Sequence, residues 1–408
     1  LKQAPAKITI VSQSHLCRNP RVLKEATALA AAGYNISIFT AVYSDELYRE
    51  DLSLLAGTGI SYEIYSDLRK RDWASLKARL SRKLWLIAQT WGIESRYSLG
   101  YNAGNLKKRI TASRADLYIM HQELATVTGS FMVDDYRVAF DLEDWYSEDL
   151  LPEARKNRPI KLLKQAEKTA LEKGAACYTT SHAMANGLKA FYNSGRTPAV
   201  IYNSFNANNA TGEQQLQQDY LHLYWLSQTI GPGRGLEFFI SCMAKSKVRC
   251  KLSLRGNIAE GYKNSLLAIP APKDSIEFLP MIKNSEIQAD MGCYHIGLAL
   301  EPDTPPNKDL TVSNKLFHYM AAGLPVIASY TRGQAEIAQQ CPGLIFMYRQ
   351  NHVDELVGIL NELGAKIETG SLPALKTRMI KFYQANFSWP IQAEKLVNLI
   401  KNIFETAR

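Results

Sequence analysis

Short apolar runs alternate with amphipathic stretches along the whole chain. The first apolar run, at 8–11, is followed by a polar loop over 12–18. Asn19 then caps a helix that Pro20 opens and Gly33 ends, and 35–40 forms the next strand. This is a β-α-β unit, whose crossover is expected to be right-handed and whose strands parallel. Ligands of such sheets gather at the carboxyl ends of the strands, where His15, Arg18 and Arg21 cluster. No G-x-G-x-x-G follows the first strand, which argues against a nicotinamide-type dinucleotide fold. Strands near 115–120 and 137–140 deliver His121 and an acidic run that holds Glu143 and Asp144. Polar residues emerging after buried strands are where an α/β site collects its acids and bases. The acidic run lacks a metal-binding spacing, and Asp144 suits a helix cap equally well. Two more strands, at 176–180 and 199–202, flank a helix over 184–191.

An amide-rich run over 206–219 reads as a linker. A second alternating series follows: strand 221–226, a glycine-containing loop, a helix from Arg234, strand 250–254 leading to Arg255, strand 276–279, a helix near 285–289 and strand 296–300. Next comes the stretch from Thr311 to Ser329. Ser313 can cap, Leu316, Phe317, Met320 and Ala321 repeat at helical spacing, Gly323 ends the turn, and 324–328 is a buried strand. Lys315 falls in the first helical turn, where peptide dipoles disfavour a cation by about 0.3–1 kcal/mol. A bound anion reverses that sign, because free N–H groups and an ammonium can hold the same phosphate. A surface lysine on a core helix is the plain alternative. Gly231 and Gly233 let backbone approach a ligand, and Arg234, Arg255 and Lys315 are each expected at a strand end on one rim, a triple positive site suited to a diphosphate.

Residues 67–110 differ in character. Basic residues at 69, 70, 71, 77, 79, 82 and 83 interleave with Trp73, Leu76, Leu80, Leu84 and Trp85 in a pattern compatible with amphipathic helices. Such a surface can lie on anionic lipid. The alternative is a basic solvated face over a core-facing apolar stripe. Nucleic acid is a weaker option, since no binding module accompanies the charge.

Composition narrows the class. A chain of 408 residues with 46% hydrophobic content suggests two or three domains with full cores, and 21% charged residues exclude global disorder. A formal net charge of +9 favours an anionic partner such as a nucleotide, a lipid surface or nucleic acid. The six cysteines show no C-x-x-C spacing, so neither a zinc site nor a disulfide framework is expected, and a reducing compartment is the default. No run approaches about 18 apolar residues, and no signal peptide is expected from the opening residues. The expectation is a cytoplasmic protein, at most peripheral on the cytoplasmic membrane face.

Taken together, Gly231-Pro-Gly-Arg-Gly-Leu-Glu237, Ile201-Tyr-Asn-Ser204, the stretch from Ser313 to Ser329 and Phe387-Ser-Trp-Pro390 resemble a GT-B glycosyltransferase of the GT4-like, group 1 kind. The resemblance is strongest over 221–345 and looser over 8–205. It implies an α/β fold of two Rossmann-like domains facing a central cleft: an acceptor-binding domain over 1–205, the linker 206–219, a nucleotide-sugar-binding domain over 220–385, and a helix over 386–408 that crosses back to the first domain. It implies that Arg234 holds the donor diphosphate and that Lys315 binds the distal phosphate and sugar, with Gly231, Gly233, Ser313 and Asn314 around them and Arg255 adding to the phosphate field. The family's paired glutamates are replaced. His318 stands in the place of the ribose-gripping one and Leu310 in the place of the other, with Glu301 positioned to substitute from a different register. Glu143-Asp144 resembles the family's His-Asp pair with Glu in the His position. His121, Glu143 and Asp144 would face sugar and acceptor, and His15, Arg18 and Arg21 lie on the acceptor side.

The implied reaction moves a sugar from a nucleotide diphosphate sugar, UDP- or GDP-sugar first, to a hydroxyl of a glycan, a lipid-linked saccharide or a small molecule. Retention is expected, with no metal or cofactor and no nucleic-acid partner. The replaced glutamates keep two alternatives open: a GT-B-shaped nucleotide- or carbohydrate-binding regulatory partner, and a sugar-nucleotide epimerase.

Overall fold

The computed structural model describes residues 4–70, 72–207, 219–272, 274–283 and 286–406. Most of the expected linker, 208–218, and the basic residue at 71 lie outside the described residues. The chain forms two compact units, Leu1–Ile201 with Ala393–Arg408, and Tyr202–Gln392. The change of unit at the carboxyl end falls inside one helix, Trp389–Glu405, whose Phe404 ring stacks on Tyr34 of the first unit.

The first unit is built on seven parallel strands: β1 (Lys7–Val11), β2 (Asn35–Val42), β3 (Ser61–Asp67), β4 (Leu117–His121), β5 (Val138–Leu142), β6 (Ala176–Thr179) and β7 (Ala199–Val200). They are ordered β3-β2-β1-β4-β5-β6-β7. Strands covered by helices on both faces read as unbroken apolar runs, and Ile8, Ile10, Leu117, Ile119, Val138 and Phe140 are accordingly buried. Asn19 accepts a hydrogen bond from Val22 N and sets the start of the helix Pro20–Ala31, as the sequence anticipates.

The second unit carries six parallel strands: β8 (Leu221–Ile230), β9 (Cys250–Ile258), β10 (Ile276–Leu279), β11 (Ile296–Ala299), β12 (Val326–Ser329) and β13 (Ile345–Tyr348), ordered β10-β9-β8-β11-β12-β13. Two of these are longer than their apolar runs. β8 and β9 continue past an irregularity between Leu226 and Thr229. Gly256 makes that possible: its φ is 150°, and a Cβ there would lie 2.2 Å from Ser227 O. The extension moves Arg255 from the expected strand end into the strand.

The helix Trp73–Thr90 overturns the core-facing version of its stripe. Its buried face is Ser75, Ala78 and Gln89, whereas Leu76, Leu80 and Leu84 are exposed.

Candidate functional site

Parallel sheets bind ligands where the strand order reverses, because the helices after the two central strands leave on opposite faces and open a crevice between their starts. In the second unit this point lies between β8 and β11. Beyond β8 the chain turns through Gly233 and Gly235, at φ of 74° and 73°, in the left-handed region where a side chain is disfavoured. Gly235, and not Arg234, precedes the helix Leu236–Met243, whose start has no side-chain cap. Arg234 therefore sits in the turn, half-buried, and among the described residues none holds its guanidinium by a hydrogen bond or ion pair.

Beyond β11 the chain reaches the helix Asn314–Ala321, which likewise lacks a side-chain cap. Ser313 precedes it as expected, but its hydroxyl donates to Glu301 Oε1 at 2.8 Å instead of capping. Lys315 Nζ donates to the same oxygen at 2.5 Å and lies 5.6 Å from the Trp225 ring centroid. Burial alone would raise the Glu301 carboxyl, but Lys315 and Ser313 outweigh it and hold the group below the usual range. The Glu301 main chain is fixed in turn, its N–H donating to Ser329 Oγ at 2.8 Å and its carbonyl accepting from that hydroxyl at 2.6 Å. Asn314 is exposed at the helix start. His318 stacks on Phe205 with ring centroids 3.6 Å apart, and Leu310 is buried.

Arg255 departs from the expected phosphate rim. Its guanidinium donates to both Asp290 oxygens at 2.6 and 2.9 Å, to Tyr224 Oη at 2.9 Å and to the Pro280 carbonyl at 2.8 Å. Gly231, Gly233, Arg234, Ser313 and Lys315 thus follow the two central strands, while Arg255 is tied into the sheet.

In the first unit the strand order reverses between β1 and β4. Here the structure assembles a buried charge network. Arg21 donates to Asp141 Oδ2 at 2.5 Å and Oδ1 at 3.0 Å and to the Ile201 carbonyl at 2.9 Å, and lies 3.2 Å from Glu25 Oε1. His121 places Nε2 3.2 Å from Glu25 Oε2, and Nδ1 3.1 Å from Asp141 and 3.3 Å from Glu143. Both ring nitrogens face carboxylates, which suits an imidazolium. Burial disfavours that charge, but Glu25 and Asp141 raise the His121 pKa well above its ordinary value. Burial works against Asp141 too, yet Arg21 and His121 hold it at about 2. Burial and Asp141 together raise Glu25, which accepts from Tyr178 Oη at 2.7 Å.

Glu143 is the partly exposed acid of this network, its side chain 18% accessible, and it also accepts from Asn19 Nδ2 at 3.2 Å. Asp144 is half-buried beside it. Glu25, His121 and Asp141 bring three ligand-capable atoms within 4.8 Å of one another, as a metal site would. Arg21 engages both carboxylates as well, Glu25 through Oε1 and Asp141 through both oxygens. Of the three residues expected on the acceptor side, Arg18 is exposed. His15 is buried, with Nδ1 2.7 Å from Asp51 Oδ2 and Nε2 accepting from Tyr43 N at 3.0 Å. Arg21 is buried in the network.

Sequence reading passed over Glu25, Asp51, Asp141 and Tyr178 as site-forming residues. Glu25 had a local signal, an opposite charge four residues after Arg21 on one helix. The other three meet their partners only through tertiary packing.

No family model matches the chain, and no curated protein matches it. Solved structures do. HepE of Anabaena in complex with UDP is 15% identical, covering 97% of this chain and 100% of its own, with a TM-score of 0.68. Sucrose-phosphate synthase from Thermosynechococcus elongatus is 14% identical, with coverages of 98% and 100% and a TM-score of 0.68. A glycosyltransferase from Rickettsia africae is 13% identical, with coverages of 98% and 99% and a TM-score of 0.66. At these identities the likeness establishes the fold, which is that of the GT-B glycosyltransferases.

Proposed function

We propose that the chain is a GT4-like glycosyltransferase that moves a sugar from a nucleotide diphosphate sugar to a hydroxyl acceptor, with retention of configuration and without a metal. The observation that carries this reading is the second unit's crevice, where two uncapped helix starts follow neighbouring strands beside the unengaged Arg234 and the Lys315–Glu301 pair. Helix N–H groups and two cations suit a diphosphate whose negative charge grows as the glycosyl bond breaks. Arg234 takes the diphosphate. Lys315 moves from Glu301 to the departing phosphate, leaving the Glu301 carboxylate to accept hydrogen bonds from donor hydroxyls. HepE, a GT-B protein solved with UDP, favours a uridine donor, with GDP-sugar next.

In the first unit Glu143 is the acid able to meet a sugar or acceptor; His121 and Asn19 hold its carboxylate, and Asp141, bound by Arg21, backs His121. Asp144 and the exposed Arg18 would complete the acceptor side, a hydroxyl of a glycan, a lipid-linked saccharide or a small molecule. The test is transfer: the protein is incubated with UDP- and GDP-sugars and a panel of saccharide acceptors, and product and released nucleoside diphosphate are measured. Release that depends on acceptor supports the reading. Conversion of donor without acceptor would support the epimerase instead.

A second reading, a nucleotide- or carbohydrate-binding partner without transfer, draws on one observation. His318 stacks on Phe205 and Leu310 is core, where the family's paired glutamates would stand. Nucleotide binding without turnover of any donor would favour it.

A further inference from the structure

We infer that the helix Trp73–Thr90 is a membrane-docking element that lays an apolar face on an anionic lipid bilayer. At about 100° per residue, Trp73, Leu76, Leu80, Leu84, Ile87 and the following Trp91 fall on one face within roughly 40° of its centre. These six side chains are between 45% and 85% exposed, while Ser75, Ala78 and Gln89 on the opposite face are buried. A globular helix does the reverse, burying its apolar stripe and solvating its polar face. An exposed stripe this long marks a partner surface.

Charge selects the partner. The helix contains four basic residues and no acidic one. Two of the four turn toward the protein, Arg79 donating to the Leu68 carbonyl at 2.8 Å and Arg82 lying over the Tyr101 ring. The other two, Lys77 and Lys83, are exposed and flank the stripe at about 60° to either side. Lysines bordering an apolar face place their stems against acyl chains and their ammonium groups among lipid phosphates, and tryptophan suits the interface at each end. A second copy of the chain is a poorer fit. A paired seam starting from Trp73, Leu76 and Leu80 would next require apolar residues at 83, 87 and 90, of which only Ile87 is apolar while 83 and 90 are Lys83 and Thr90, and two such helices would oppose lysines without acids to meet them.

The test is flotation of the full chain with phosphatidylcholine vesicles, with and without roughly one third phosphatidylglycerol, at low and high salt. The wild type is compared with a Leu76→Ser, Leu80→Ser, Leu84→Ser variant and a Lys77→Gln, Lys83→Gln variant. All five side chains are exposed, so the melting temperature reports that the fold survives. The wild type is expected to float with anionic vesicles at low salt, the leucine variant about tenfold less, and the lysine variant several-fold less. Absence of wild-type flotation at low salt, or equal flotation by the leucine variant, would overturn the inference. So would a wild-type dimer that the leucine substitutions dissociate with no vesicle binding by either protein, which would assign the stripe to self-association.

Discussion

Lys315, in the first turn of a helix whose start has no side-chain cap, holds its Nζ 2.5 Å from Glu301 Oε1 in the loop after β11. A cation at a helix start opposes the helix dipole, and here a carboxylate 14 residues earlier neutralises it. The pair is compensated when empty and can exchange partners when a phosphate arrives.

That exchange separates binding from turnover. Glu301→Gln should strengthen binding of a bare nucleoside diphosphate, by about 1 kcal/mol, because a competing negative charge is removed. It should also lower kcat for transfer, because the sugar loses a charged acceptor. Lys315→Ala should lower kcat more than it lowers donor affinity, since leaving-group charge develops in the transition state. Calorimetry and saturation kinetics on the two variants read both effects, and equal losses in binding and kcat for Lys315→Ala would make it a simple anchor.

Arg234 should behave as a binding residue. Its loss is predicted to weaken nucleoside diphosphate binding by about 1.5–3 kcal/mol, the range for a charge-assisted hydrogen bond. Arg234→Lys should recover part of this by supplying charge without the planar fork. Neither variant should change the melting temperature of the unliganded chain, because no described residue leans on the guanidinium.

The network around Arg21 predicts a pH profile for stability. Asp141 is held at about 2 against an ordinary 3.8, so its contribution is complete above 3.8 and disappears as pH falls through the lower value. His121 is raised above its ordinary 6.5, so its contribution is complete below that pH and is lost as pH rises through the folded value. Thermal melts of the full chain should show both flanks. Asp141→Asn should cost about 3–5 kcal/mol near neutrality, because Arg21 and His121 then lose their shared carboxylate. It should also blunt the acid flank. A variant with an unaltered acid flank would remove Asp141 from the account.

Two glycines give opposite expectations. Gly256→Ala forces a Cβ onto the Ser227 carbonyl and should destabilise by about 2–4 kcal/mol. Gly261, in the helix Glu260–Leu267, has open space around its Cβ position, and Gly261→Ala should stabilise by about 0.5–1 kcal/mol. Urea midpoints of the two variants check this.

The alternation of apolar runs and amphipathic stretches made most of the strands and their parallel order legible, because burial on both faces leaves that mark on each strand. The ends of β8 and β9 were not, since their outer halves are polar and are held by pairing across Gly256. That hidden extension is why Arg255 reads as a rim residue in sequence and as a sheet residue in the structure. Lys315 was legible because it breaks the dipole rule. Its partner Glu301 was placed near the site, but the pairing of the two depends on how the loop returns. His15 and Arg21 look like surface site residues by position, and only tertiary packing reveals Asp51 and Asp141 closing over them. The basic stretch left a lipid-facing, a solvated and a nucleic-acid reading open, and the exposure of Leu76, Leu80 and Leu84 removes only the core-facing stripe.

The measurement that tests the account most directly is calorimetric titration of the full chain with UDP, GDP, ADP and TDP, with Arg234→Ala beside it. Selective binding is expected, UDP first, with at least a tenfold loss in the variant. Binding of none of the four, or binding that Arg234→Ala leaves unchanged, would contradict a diphosphate site at the crevice between β8 and β11.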